Sequence, residues 1–202
     1  CKILRLDKPG YPEELIEDII TLSEIPENGR IIEIGCGSGQ ATLPFAQRGY
    51  EMLCLDIGKN LLNTARNKLR NKKGKIINTS FEDWGPELEQ FDLLISATAF
   101  HWINPEIGFR KAAKTLKKDG CIALFWNLHP TPYTGFFRDA QRVYQKVVPE
   151  WEKTCEGLNT RKNQKPTIKM DPLSLFEDFE VRRYRWDLKY SSTEYLKLLE
   201  TY

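Results

Sequence analysis

Residues 31–39 read Ile-Ile-Glu-Ile-Gly-Cys-Gly-Ser-Gly, and few folds have a use for such a run. Ile31, Ile32 and Ile34 form a short apolar stretch of the kind a buried strand uses. Gly35, Gly37 and Gly39 then open a turn into Gln40–Arg48, which reads as a helix. Glycine permits backbone conformations closed to other residues and lets a ligand lie directly against the main chain. Asp56 follows 21 residues after Gly35, at the carboxyl end of the apolar run Met52–Leu55. An acid about 20 residues past such a loop is the usual ribose-hydroxyl partner in nucleotide-binding strand–helix–strand units. The pattern predicts a site for an adenosine-containing cofactor.

The spacing narrows the choice of cofactor. A dinucleotide fingerprint places its third glycine five positions after the first, where the helix N-terminus meets a pyrophosphate. Here that position is Gln40, and the third glycine comes one residue early. Glu33 sits two residues before Gly35. A carboxylate there repels pyrophosphate but can hold a cationic amino group. The run Glu-Ile-Gly-Cys-Gly-Ser-Gly resembles motif I of the class I S-adenosylmethionine-dependent methyltransferases, whose cofactor carries an ammonium, a sulfonium and no phosphate. The resemblance implies that Glu33 holds the cofactor's amino group, that Asp56 holds its ribose hydroxyls, and that Gly35, Cys36, Gly37 and Gly39 give it a close backbone approach.

The rest of the chain has the matching alternation. A helix is predicted over Glu13–Ile25, with Pro12 at its start. Strands are predicted at Arg30–Ile34, Met52–Asp56, Lys75–Thr79, Phe91–Ser96 and Cys121–Asn127. Helices between them are predicted at Gln40–Arg48, Lys59–Asn71 and Pro105–Lys117. Such alternation implies an α/β fold, a doubly wound and mostly parallel sheet with helices on both faces, as in the Rossmann-like methyltransferase fold. The regularity breaks after Asn127. Three regions are therefore expected: a cofactor-binding core over 1–127, a helical and loop insertion over 128–175 covering the acceptor site, and a return to the sheet over 176–202. The insertion would hold a helix over Phe136–Trp151 and a polar loop over Glu156–Lys169. The last region would hold a strand at Glu180–Leu188 and a helix from Thr193 that the chain end cuts off. No final antiparallel strand follows it, so the sheet is expected to lack its last strand in this chain.

Further segments extend the resemblance. Thr79-Ser80-Phe81-Glu82-Asp83-Trp84 follows the third strand, where similar enzymes line the adenine ring, and this implies Phe81 and Glu82 as contacts. Phe91-Asp92-Leu93-Leu94-Ile95-Ser96-Ala97 resembles motif IV and places Ala97 at the end of the fourth strand, beside the cofactor. Thr98-Ala99-Phe100-His101-Trp102 is similar to a small-molecule branch that includes the trans-aconitate and ubiquinone-pathway types. The Asn/Asp-Pro-Pro-Tyr/Phe motif of the enzymes that methylate DNA amino groups is absent here. Pro9-Gly10-Tyr11-Pro12 matches a segment that folds over the cofactor in similar enzymes, which implies Tyr11 near its methionine moiety.

Methyl transfer from a sulfonium needs no metal, and the protein's task is to align acceptor and donor and to exclude water. The five cysteines form no Cys-x-x-Cys pair and lie near no histidine in ligand spacing, so no metal is expected. Of the two histidines, His101 is the candidate general base, because it follows the fourth strand and titrates near neutrality when unperturbed; His129 ranks second. Trp102, Trp126 and Tyr133 are candidates for an aromatic wall over the acceptor, with Phe136 and Phe137. Thirty Lys/Arg against 28 Asp/Glu give a formal charge of +2, and no apolar run is long enough to span a membrane. Residues 58–81 hold seven Lys/Arg and no acid, which reads as a solvated helix face. The expectation is a cytoplasmic S-adenosylmethionine-dependent methyltransferase with a small-molecule acceptor and neither a nucleic-acid nor a membrane partner. The competing readings are a cofactor-binding protein without catalysis, an RNA or protein methyltransferase, and an NAD-dependent oxidoreductase.

Overall fold

The apolar runs become the strands of one parallel sheet. The computed structural model describes residues 10–85, 88–127, 135–147 and 174–199. The strands are β1 (Arg30–Ile34), β2 (Glu51–Asp56), β3 (Gly74–Asn78), β4 (Phe91–Ala97) and β5 (Leu116–Phe125). They lie in the order β3-β2-β1-β4-β5, and every pairing is parallel. The chain thus winds outward from β1 in one direction and then returns to wind in the other. Ligands in such sheets bind beyond the carboxyl ends of the strands at the point of reversal. Here that point lies between β1 and β4.

Successive strand residues face opposite sides, and this decides which helix each one meets. On one side Ile31, Met52, Cys54, Leu93 and Ile95 form a core with α1 (Glu13–Ser23), α2 (Thr42–Gln47) and α3 (Lys59–Lys68), through Ile16, Phe45 and Leu62. On the other side Ile32, Ile34, Leu53, Leu55 and Leu94 pack against Phe109 and Ala112 of α4 (Pro105–Thr115). Both faces of the sheet are covered, which explains why its strands read as continuous apolar runs. Asn104 caps α4, accepting from the N–H groups of Glu106 at 3.0 Å and Ile107 at 3.4 Å, and Pro105 occupies the first helical position.

The predicted elements recur with shifted ends. The helix expected over Gln40–Arg48 spans only Thr42–Gln47, because residues 37–41 are used in the turn that leaves β1. The strand expected from Cys121 starts at Leu116, directly after α4. Leu116 pairs with Phe91 and Cys121 with Leu93, so residues 117–120 bulge out of register. Lys117 in that bulge pairs with Asp92 at 2.7 Å. The Lys-Lys-Asp-Gly sequence looks like a simple turn, which hides a strand that continues through it.

Residues 180–188 do not join the sheet, contrary to the strand expected there. Their alternation serves a different purpose. Tyr184 packs on the first core and donates to Asp18 of α1 at 2.6 Å, and Arg182 pairs with the same carboxylate at 2.6 Å. Phe176 packs on the second core, its ring 6.2 Å from that of Phe109. The segment is anchored by side chains instead of by a backbone ladder. It leads into α6 (Ser192–Leu199).

The chain divides into two compact units, residues 1–126 with 173–202, and residues 127–172. In the second unit, α5 (Gly135–Val147) is the described part of the helix expected over Phe136–Trp151. Asp139 on it accepts from Arg138 at 3.1 Å and lies 3.6 Å from Arg142.

Phe45 is fully enclosed between α2 and the sheet. Replacing it with alanine is expected to lower unfolding stability by about 3–5 kcal/mol, measured in urea. A loss below about 1 kcal/mol would mean that this face of the sheet is not packed as described.

Candidate functional site

Two loops meet at the point of reversal. The first leaves β1. Gly35 and Cys36 both donate their N–H groups to the Leu55 carbonyl of β2, at 2.8 and 3.1 Å, and Gly39 closes a turn onto the Cys36 carbonyl at 2.8 Å. All three glycines have positive φ, at 71°, 53° and 82°. At Gly35 a side chain is excluded twice over, because a Cβ would lie 2.3 Å from the Ala99 methyl. At Gly37 none of the described residues lies within 4 Å of a Cβ, so among them the loop faces open space there. Gly37 therefore offers a bare stretch of main chain that a side chain would fill.

Asp56, at the end of β2, ties this loop to the next. One carboxylate oxygen accepts from Gly37 N–H at 2.7 Å and the other from Gly58 N–H at 2.6 Å. Such charge-assisted bonds to backbone donors are short and strong. Ile57, immediately after it, is 76 % exposed.

Glu33 lies beneath the loop with no exposure at all. Thr42 Oγ1 donates to its Oε2 at 2.5 Å, and Cys54 Sγ lies 4.0 Å from the same oxygen. Among the described residues its Oε1 has no hydrogen-bond partner. Burial pushes the Glu33 carboxyl up to about 7; the Thr42 hydroxyl pulls it down and the nearby Asp56 charge adds to the rise. A buried carboxylate oxygen left bare costs free energy unless something satisfies it. Thr42 is the main residue that the sequence did not reveal. Nine positions separate it from Glu33, and only the fold brings the two together.

The second loop follows β4. Thr98 sits at φ 58°, unusual for a β-branched side chain. It is held there by its N–H to the Phe125 carbonyl at 2.8 Å and by a hydrogen bond at 3.0 Å between its Oγ1 and Tyr11 Oη. The Tyr11 ring packs edge-on against Phe125 at 4.8 Å, and burial raises its phenol above the usual range. Ala99 fills the space left by the missing side chain of Gly35. Phe100, His101 and Trp102 then form a single 3-10 turn. Trp126 Nε1 donates to His101 Nδ1 at 3.2 Å, and the rings of His101 and Trp102 lie 4.8 Å apart. Trp102 is 82 % exposed.

Other expected residues are placed as follows. Ala97 ends β4, half-buried at the same edge. Phe81 is only 2 % exposed and stacks on Trp84 at 6.1 Å inside the second core. Glu82 is exposed, and its carbonyl accepts from Lys111 Nζ at 2.8 Å. Ser80 and Asp83 bond each other at 2.7 Å across the turn. Asp92 lies at the opposite end of β4 from this edge, bound to Arg30 N–H at 2.8 Å and to Lys117. Tyr133 and His129 lie outside the described residues, as do the side chains of Phe136 and Phe137. Among the described residues no group of histidines, cysteines and acids is placed to hold a metal ion.

The loop geometry separates two substitutions that look alike in sequence. Gly37→Ala should cost only about 1–2 kcal/mol of stability, the backbone penalty of the left-handed region. Gly35→Ala should cost clearly more, because it adds the clash with Ala99, and Ala99→Gly should recover part of the difference. Equal thermal shifts for the two alanine variants would contradict this packing.

Comparison with known proteins agrees with this geometry. Residues 32–124 match a family model described as a methyltransferase domain. A probable S-adenosylmethionine-dependent methyltransferase of Saccharomyces cerevisiae is 29 % identical over 166 residues, covering 80 % of this chain and 55 % of the yeast protein. The chloroplastic 2-methyl-6-phytyl-1,4-hydroquinone methyltransferase 1 of Oryza sativa is 28 % identical over 144 residues, 68 % of this chain and 44 % of the rice protein. The chain thus spans about half the length of these relatives. A crystal structure from Methanococcus maripaludis shares the fold with a TM-score of 0.52 at 21 % identity, over 74 % of this chain and 72 % of that one. With its glycine loop, its reversal between β1 and β4 and these matches, the chain is similar to S-adenosylmethionine-dependent methyltransferases over the sheet that carries the site.

Proposed function

We propose that this chain transfers a methyl group from S-adenosyl-L-methionine to a small-molecule acceptor. The observation that carries the cofactor half is the bare Oε1 of Glu33, a buried carboxylate oxygen without a partner among the described residues, two positions before the glycine loop. An ammonium group satisfies that oxygen, and a pyrophosphate would be repelled by it. When bound, the cofactor supplies an activated methyl group on a sulfonium.

The residues divide the work of holding it. Glu33 receives the amino group. Gly35, Cys36, Gly37 and Gly39 give the close backbone approach, with the open space at Gly37 as the cradle. Asp56 still has lone pairs for the ribose hydroxyls after accepting from Gly37 and Gly58. Ile57 offers an apolar surface next to that carboxylate, in addition to the contact expected of Phe81. In this reading Glu82 serves the adenine amino group, Ala97 the floor of the site, and Tyr11, hydrogen-bonded to Thr98, the methionine end. Support for a small acceptor comes from the name of the rice relative, which acts on a hydroquinone, and from the exposed Trp102 ring beside His101.

Glu33 also sets a pH dependence. Its carboxyl sits at about 7 in the folded protein against an ordinary 4.5. Ionising it inside the fold is therefore costly, and stability should fall as pH rises from about 4.5 to 7, by roughly 3 kcal/mol at 1.36 kcal/mol per tenfold change. Glu33→Gln should remove that fall and melt at a higher temperature than the parent above pH 7. The ammonium favours the ionised carboxylate. Affinity for S-adenosylhomocysteine should accordingly weaken by up to about tenfold per pH unit below 7. The glutamine variant should bind poorly at every pH. A flat calorimetric profile in the parent protein, or tight binding by the variant, would remove Glu33 from the site. Turnover is then tested by a screen of small acceptors with a bulk RNA control. Methylation of the RNA alone would overturn the small-molecule reading.

A further inference from the structure

Trp126 donates its indole N–H to Nδ1 of His101 across 3.2 Å. An indole nitrogen can only donate, so Nδ1 has to present its lone pair. A neutral imidazole with an acceptor at Nδ1 carries its proton on Nε2. A doubly protonated ring would set one N–H against another and lose the bond. The partner thus selects the tautomer as well as the ring's orientation.

The placement makes that choice matter. His101 is exposed, and its Nε2–H end points away from the indole that holds the other nitrogen. It sits on the loop whose Ala99 packs against Gly35 and whose Thr98 bonds Tyr11, at the point of reversal where the cofactor loop begins. Trp102 lies beside it with a broad exposed ring. A donor next to a flat apolar face suits a planar molecule that carries an oxygen able to accept.

We propose that His101 is a hydrogen-bond donor to the methyl acceptor, fixed as its Nε2–H tautomer by Trp126, and that the acceptor is a planar molecule bearing an ionised oxygen. This rests on the methyltransferase reading and deepens it by naming the acceptor class. The neutral ring has no lone pair on its exposed side with which to take a proton. The general-base role expected of His101 is therefore replaced by recognition, a role that suits an acceptor already deprotonated. Trp126 is a positioning residue, since it acts through His101.

The test has two arms. In the first, long-range proton–nitrogen correlation spectra are recorded on the 15N-labelled full chain without cofactor. The sequence holds only two histidines, so His101→Phe assigns the signals. The expected pattern for His101 is a protonated Nε2 and an unprotonated Nδ1, averaging towards a mixture in Trp126→Phe. A protonated Nδ1, or no change in Trp126→Phe, overturns the proposal. In the second arm the protein is saturated with S-adenosylhomocysteine and titrated with benzoate, 4-nitrophenolate and benzylamine. Either anion should shift the His101 Nε2 signal saturably and bind about tenfold or more weakly to His101→Phe; which anion does so separates a carboxylate from a phenolate acceptor. A response to benzylamine alone, or to none of the three, overturns the proposal. Calorimetry with S-adenosylhomocysteine is read separately, so a failed cofactor assignment shows there and not in the tautomer.

Discussion

A carboxylate is buried at the centre of this sheet, and much of the surrounding structure follows from where it sits. Glu33 occupies a strand position that alternation sends into an apolar core, next to Cys54 and opposite α2. Burying an acid there costs free energy that a leucine would not. Thr42 offsets part of that cost by donating to one oxygen, and the other oxygen stays bare. The fold thus keeps a strained electrostatic element next to the glycine loop that leaves β1. In the proposed function a cation supplied by the cofactor relieves it, and binding free energy is drawn from that deficit.

The surrounding loops hold this element in register. Asp56 bonds the N–H groups of Gly37 and Gly58, and so joins the ends of β1 and β2 through one side chain. Across the reversal, Ala99 occupies the volume that Gly35 lacks. Thr98 is kept in a costly backbone conformation by Tyr11 and Phe125. Strain of this kind persists only where neighbours impose it, and it gathers where geometry has to be fixed before a ligand arrives. The loops after β1 and β4 are therefore coupled through short contacts.

Much of this was legible in the sequence for identifiable reasons. The strands declared themselves because both faces of the sheet are covered, which leaves continuous apolar runs. Glu33, the glycines and Asp56 were legible because backbone approach and charge recognition demand particular residue types at fixed spacing. The packing of Phe81 on Trp84 was not legible, because an aromatic beside such a loop looks the same whether it points outward or into the core. The alternation over 180–188 misled for a similar reason. It anchors side chains such as Tyr184 to α1 and does not signal a ladder. The partners Thr42, Thr98 and Trp126 lie 9, 87 and 25 residues from the groups they serve, and no local pattern connects them.

The central claim is that the bare oxygen of Glu33 receives the cofactor's amino group. A crystal structure of the complex with S-adenosylhomocysteine tests it most directly. The account predicts the ammonium within hydrogen-bond distance of Glu33 Oε1, with the ribose hydroxyls on Asp56. A complex in which the ammonium lies elsewhere and Oε1 remains without a partner would contradict it.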